Sequence, residues 1–394
     1  MRAVVATAAA GLLVIVGCAR RPPAVGSAAP SAVDREAVAV SVNEELVGEV
    51  IHLGRTSQSR DNVTWSPDGQ LVAFLKGYVA EFTEEQQEAT STSRTLVTDL
   101  WLAHADGSDP RQLTYPDRGK GLESFESGPS HAMSPCWAPV GKALAYASGF
   151  GCGGRLAVLD VATGQSKTLP YGVPIGSGIR WSPDGEWLAF WGTDWKTFAA
   201  RMTPGDFPPC ALAVVRADGT GFRRAAEAES GCVCEWSPDG RQLLYAQRES
   251  VEAPRALWIV KPDGSAARQL APSIAVGGRG SWSPDGEWVA YPGDDDAPGL
   301  WIVNVATLER QQVAQEPVSC VRWGRGGPGI WHVENHDLYL LGEPDRRSQQ
   351  VTTSGNVVSA GPSPTGTHVA VAVREKPSEE KIIGRADMYV LKLK

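Results

Sequence analysis

Two stretches of the chain carry side chains that could bind a metal or move a proton, and their spacing bounds what they can do. His332-Val333-Glu334-Asn335-His336 places two imidazoles and a carboxylate close together. A helical zinc site needs His-Glu-x-x-His on one helix face, and this stretch has neither that order nor a helical setting. It falls where a turn between strands is expected, so these residues read as solvated turn residues. Asp294-Asp295-Asp296 follows Gly293. Three carboxylates on a tight loop are hard oxygen donors that could hold calcium, yet aspartates are also good turn formers. They stand as weak metal candidates only. A nucleophilic serine on an elbow would read Gly-x-Ser-x-Gly, which is absent. No catalytic residue, metal or cofactor is therefore expected.

The seven cysteines need the N-terminus for their reading. Arg2 precedes an apolar run from Ala3 to Val16, too short to span a bilayer and shaped like a secretory signal. The run ends Ile15-Val16-Gly17-Cys18, which resembles the bacterial lipobox. That resemblance implies that 1–17 is a signal peptide and that Cys18 becomes the lipidated first residue. Residues 18–37, rich in Pro, Ala and Gly, would then be a flexible tether holding the body off the membrane. The protein is expected in the cell envelope, lipid-anchored on the periplasmic or cell-surface side. An ordinary signal peptide or an uncleaved anchor would give the same side. There the remaining cysteines, Cys136, Cys152, Cys210, Cys232, Cys234 and Cys320, could all pair. Cys232-Val233-Cys234 is spaced too closely for a zinc pair.

The elements that must position these residues follow from a repeat. Trp-Ser-Pro-Asp-Gly occurs at Trp65–Gly69, Trp181–Gly185, Trp236–Gly240 and Trp282–Gly286. Altered copies begin at Trp137, Trp323 and Pro362. A period of about 40–50 residues marks one small supersecondary unit used many times. In the clearest unit, Cys234-Glu235-Trp236 ends a first strand and Ser237-Pro238-Asp239-Gly240 turns it. Pro presets φ, and Gly accepts the positive φ that closes the hairpin. Second, third and fourth strands follow at Gln242–Ala246, Ala256–Val260 and Ala267–Leu270, with Asp263-Gly264 as another turn. Several third strands, such as Leu300-Trp301-Ile302-Val303, are apolar on both faces, as a strand buried between sheets must be. Seven four-stranded antiparallel sheets set radially about an axis satisfy this pattern, so the expected fold is an all-β, seven-bladed β-propeller spanning 38–394. The seventh unit lacks a fourth strand, and Gly48–Leu53 has the pattern to supply it and complete the last blade.

Repeats that run Trp-Ser-Pro-Asp-Gly, Leu-Ala-Phe, Leu-Trp-Ile-Val, Asp-Gly and Arg-Gln-Leu resemble those of TolB-type β-propellers, within the wider WD40-like group. The resemblance covers nearly all of Val38–Lys394. It implies the fold; the same repeat serves scaffolds, sensors and peptidase domains, so it implies no single job. The chain has no recognisable N-terminal α/β domain, unlike the periplasmic TolB protein. No stretch is left over for a hydrolase domain either.

Composition narrows the partners. A net charge of −8 excludes nucleic acid as the main partner. Insertions at Lys76–Thr98 and Trp191–Pro209 should emerge on the face opposite the Trp-Ser-Pro-Asp-Gly turns. The second holds Trp191, Trp195, Phe198, Arg201 and Phe207, the composition of an interface. The leading expectation is a monomeric, lipid-anchored scaffold that binds an envelope protein or a peptidoglycan-associated partner through that face. The alternative is a small-ligand sensor or enzyme at the channel mouth, using Glu235, Arg180, Arg322 and His131 near the first strands. Cys210 and Cys232, which the topology sends to one face of adjacent blades, are the preferred disulfide.

Overall fold

A four-stranded sheet with apolar residues on both faces must be covered on both, and a closed ring of such sheets covers every one. The computed structural model describes residues 37–57, 63–81, 94–114, 132–150, 153–174, 178–200, 210–227, 230–248, 253–326, 329–342, 347–374 and 385–394. Cys18, the signal and most of the tether, His131, Arg201, Phe207 and both insertion tips lie outside them. No described helix is long and apolar enough to cross a membrane. The described residues form 28 strands. They make blades 1 to 7 at 63–112, 132–174, 179–227, 230–271, 281–314, 318–350 and 357–393, each in sequential strand order. The apolar clusters lie between blades: Leu75, Leu100 and Leu102 of blade 1 meet Leu144, Tyr146 and Leu159 of blade 2. First strands of neighbouring blades contact one another, so they line the axis.

The Trp-Ser-Pro-Asp-Gly hairpins are built alike. Ser66 Oγ donates to Asp68 Oδ1 at 2.5 Å and accepts the Leu71 N–H at 2.9 Å. Asp68 also accepts the Gln70 N–H, and Gly69 sits at φ 67°. The same bonds recur at Ser182/Asp184, Ser237/Asp239 and Ser283/Asp285. They satisfy buried hydroxyls and hold the Asp68 carboxyl below the usual carboxylate range, the Ser66 bond first among the causes.

The last blade closes as the sequence implies. Val47–Ser57 pairs antiparallel with Arg385–Leu393, bringing Val50 to Leu391 and Ser57 to Arg385. The residues before it form a strap. The Val38 N–H donates to Asp387 Oδ2 at 2.9 Å, and Tyr389 Oη donates to Val38 O at 2.6 Å. The strap then binds blade 6 through Asn43 N–H to Val351 O and Thr353 N–H to Ser41 O. Val38, Val40, Val42 and Leu46 pack on Leu338, Val351, Tyr389 and Leu391, sealing the groove between blades 6 and 7.

Blades 2 and 3 depart from the expected separate sheets. The second strand of blade 3, Trp187–Asp194, runs on to pair with the fourth strand of blade 2, with Thr193 opposite Gly172 and Asp194 opposite Tyr171. Helix α1, Trp195–Ala200, follows, and Asp194 Oδ1 accepts the Thr197 N–H at 2.9 Å to cap it. Phe198 lies so close to Gly172 that a Cβ there would come within 2.2 Å of its ring. Two glycines make the junction, because a Cβ on Gly192 would meet Gly172 O at 2.1 Å.

Candidate functional site

The residue before each motif Trp takes an equivalent place on the axial strands, giving a ring of Thr64, Cys136, Arg180, Glu235, Ser281, Arg322 and Gly361. Its chemistry decides how adjacent blades are joined. Where the ring residue has a short or anionic oxygen acceptor, it takes the backbone N–H of the next Trp. Thr64 Oγ1 accepts from Trp137 at 3.0 Å, Glu235 Oε2 from Trp282 at 2.9 Å and Ser281 Oγ from Trp323 at 2.9 Å. Where it has none, the next indole donates to its carbonyl instead. Trp65 Nε1 reaches Gly361 O, Trp181 Nε1 reaches Cys136 O and Trp236 Nε1 reaches Arg180 O, at 2.9 to 3.1 Å. The two modes exclude each other: buried Trp137 Nε1 and Trp282 Nε1 have no hydrogen-bond partner among the described residues. Six of the seven interblade seams keep one such bond, worth about 1 kcal/mol; the seam between blades 6 and 7 has none, because Pro362 offers neither an N–H nor an indole.

Glu235 does more than join blades. Its Oε2 also accepts from Ser281 Oγ at 3.2 Å, and its Oε1 accepts from Arg325 Nη2 at 2.9 Å. Arg325 belongs to blade 6, so this ion pair spans the mouth from blade 4 past blade 5. The Arg325 side chain stays 67% exposed against 20% for Glu235, which leaves guanidinium donors facing solvent. Glu235 raises the Arg325 pKa further, and the Cys136 thiol on blade 2 also acts on it electrostatically. Arg180 and Arg322, each donating to the carbonyl of the residue before it, add two more cations to the ring. The mouth on the hairpin face thus carries Arg180, Arg322 and Arg325 against Glu235, on a chain of net charge −8.

Of the sequence candidates, Glu235, Arg180 and Arg322 do share this ring, and Arg325 was not anticipated. Its signal is in the altered copy Trp323-Gly324-Arg325, where arginine stands in the Pro position of the motif. The aromatic candidates fare differently. Trp191 is 3% exposed in the core between blades 3 and 4, and Phe198 is 1% exposed against Gly172. Neither is open to a partner, because strand pairing and α1 consume the stretch that sequence alone reads as a loop. Trp195 is half-buried, stacked on Phe198 at 5.7 Å, with the Arg155 guanidinium 4.4 Å from its ring.

The preferred disulfide is also not formed. Cys232 packs into the cluster between blades 4 and 5, while Cys210 packs with Trp191, Leu212 and Tyr245 between blades 3 and 4. The blade 4 sheet stands between them. Cys210 is a free thiol, pushed up to about 12 by burial. Asp294 Oδ1 accepts the Ala297 N–H at 3.0 Å in a turn, with Asp295 and Asp296 exposed. No group of three or more His, Cys, Asp or Glu side chains converges among the described residues.

His332 corrects the turn reading. It lies inside the strand Ile330–Glu334 with 0% exposure, stacked on Tyr339 at 5.7 Å; only Asn335 and His336 form the turn, at φ 48° and 63°. Burial pushes its imidazole down to about 4 from 6.5. The unfolded chain therefore binds this proton below pH 6.5 and the folded chain does not until about pH 4. Stability from this group is complete above pH 6.5 and falls as pH drops towards 4, by up to roughly 3 kcal/mol. His332→Leu should flatten that part of the stability-against-pH curve in urea titrations; an unchanged slope would contradict the buried neutral imidazole.

These features define a seven-bladed β-propeller whose axial ring carries Arg180, Arg322 and Glu235, with Arg325 paired to Glu235. The likeness to a solved lyase structure agrees with the fold. Oligogalacturonate lyase in complex with manganese superposes with a TM-score of 0.58 at 15% identity, over 91% of this chain and 97% of that one. TolB from Acinetobacter baumannii gives 0.45 at 14% identity, over 76% and 64%. The uncharacterized protein Atu1656 of Agrobacterium fabrum is 26% identical over 212 residues, 49% of this chain and 60% of that protein. The match thus spans less than two thirds of that relative's length. No family model matches the chain.

Proposed function

We propose that this protein is a non-catalytic binding propeller of the cell envelope, anchored through Cys18, that holds an acidic segment of a partner protein or peptidoglycan-associated component at its axial mouth. One observation carries the reading: Arg325 reaches across the mouth to Glu235 yet keeps solvent-facing donors, on an acidic protein. A carboxylate ligand can pair with those donors in a bidentate fork. The seat of binding moves from the insertion face to the hairpin face, because Trp191 and Phe198 are core residues. Lipid anchoring rests on the Ile15–Cys18 sequence.

The test uses a fluorescent octaglutamate peptide and the full chain. Arg325→Glu is expected to weaken binding at least about tenfold, equivalent to 1.4 kcal/mol. Arg325→Lys should lose less, and added salt should weaken the wild type. Equal binding by wild type and Arg325→Glu would remove the mouth from consideration. Turnover of a small acidic compound at the mouth, lost in the same variant, would favour the rival enzyme reading.

A further inference from the structure

A second site lies away from the axis, on blade 5. A cleft of about 480 Å³ is lined by Tyr291, Trp301, Asp294, Arg310, Ser273 and Leu308 among others. That volume falls in the range of small-molecule sites. Its aromatic floor is held rigidly. Tyr291 and Trp301 pack on the cluster between blades 4 and 5, so the buried sides of both rings are fixed. Trp301 Nε1 donates to Ala297 O at 3.0 Å, with Pro298 O at 3.3 Å. Gln312 Nε2 donates to Pro298 O at 2.8 Å, and the Gly293 N–H donates to Gly299 O at 2.8 Å. The loop packs so tightly on the indole that a Cβ on Gly293 would meet Ala297 O at 1.9 Å and Trp301 Nε1 at 2.8 Å.

The rim supplies both hydrogen-bonding senses. Asp294 spends Oδ1 on the Ala297 N–H, which leaves Oδ2 as an acceptor. The Arg310 guanidinium lies beside the Tyr291 phenol and supplies donors, and Ser273 offers a hydroxyl. An aromatic floor beneath paired donors and acceptors suits a flat ligand with one apolar face and an edge of hydroxyls. A simple cation would not use Arg310, and a simple anion would be opposed by Asp294. An apolar ligand would leave the rim groups unpaired, at a cost.

We propose that the blade 5 cleft is a saccharide-binding site, in which a sugar ring stacks on Trp301, itself backed by the buried Tyr291, and its hydroxyls bond to Asp294 and Arg310. The site is separate from the axial mouth and does not depend on it. Its experiment is isothermal titration of the full chain with triacetylchitotriose and with cellotriose. At least one should bind with a Kd in the micromolar to low millimolar range. Asp294→Asn, which keeps the bond to the Ala297 N–H, and Arg310→Lys, which keeps a donor beside the Tyr291 phenol, should each weaken binding about tenfold with the melting temperature little changed. Arg325→Glu should leave sugar binding unaffected, which keeps this site's failure distinct from the mouth's. Absence of heat with both sugars at 10 mM ligand on the order of the weakest expected Kd, or binding untouched by both rim variants, would overturn the assignment. So would a tripeptide that binds in the cleft while neither sugar does.

Discussion

A chain lacking residues 37–57 is expected to lose the single cooperative melt of the full protein. The deletion strips Val47–Ser57 from the edge of Arg385–Leu393 and the strap from the groove between blades 6 and 7. It exposes Tyr389, Leu391, Val351 and Leu338 and leaves a row of unpaired N–H and C=O groups on a strand that is otherwise buried. It also removes the Val38 N–H, His52 Nε2 and the Arg55 charge from Asp387, whose residue is 3% exposed. These losses together exceed the usual stability margin of about 5–15 kcal/mol. The expected result is aggregation or oligomers by size exclusion, and rescue by a synthetic peptide covering 37–57. A monomeric truncation with an unaltered melt would show that the ring does not depend on its closure.

The second large effect is at Phe198. Phe198→Ala should destabilise the protein by about 3–5 kcal/mol, because a fully buried ring leaves a cavity over Gly172. Trp195→Ala should cost far less, since its ring is half-buried and rests mainly on Phe198 and Arg155. Guanidinium unfolding of the two variants separates the readings. If Phe198 were an interface residue, its loss would spare stability and cost only binding. The helix and the blade 2–blade 3 junction would then be wrongly placed.

One part of the molecule is legible in its sequence and another is not, for a physical reason. Strand pairing and turns are local chemistry: Pro-Asp-Gly, alternating apolar runs and the missing fourth strand suffice to place seven blades and their closure. The Ser–Asp bonds within each hairpin are equally local. Burial of a given loop is not. Trp191 and Phe198 look like interface residues until Gly172 and Gly192 allow strands from two blades to meet, and glycines alone do not announce that. His332 looks like a turn because its hairpin turns three residues later, at Asn335. Cys210 and Cys232 belong to adjacent blades, as read, but which face of a sheet each occupies depends on bulges such as the register shift between Val233 and Glu235. Of the candidate site, the ring positions follow from the motif itself. The reach of Arg325 to Glu235 does not, since it depends on ring curvature.

The strap and its strand also set an order of events. Blades 1 to 6 each draw their strands from one continuous stretch, so each can assemble from neighbours in the chain soon after it is made. Blade 7 cannot. The Val38–Asp387 bond joins residues 349 positions apart, so Val47–Ser57 waits for Arg385–Leu393. Through that interval Val47–Ser57 is an unpaired edge, and the loop it must close is almost the whole polypeptide. Ring closure therefore waits until Arg385–Leu393 has been made. It gives the newly made protein a window in which a chaperone, or the equivalent strand of another copy, competes for the same seam.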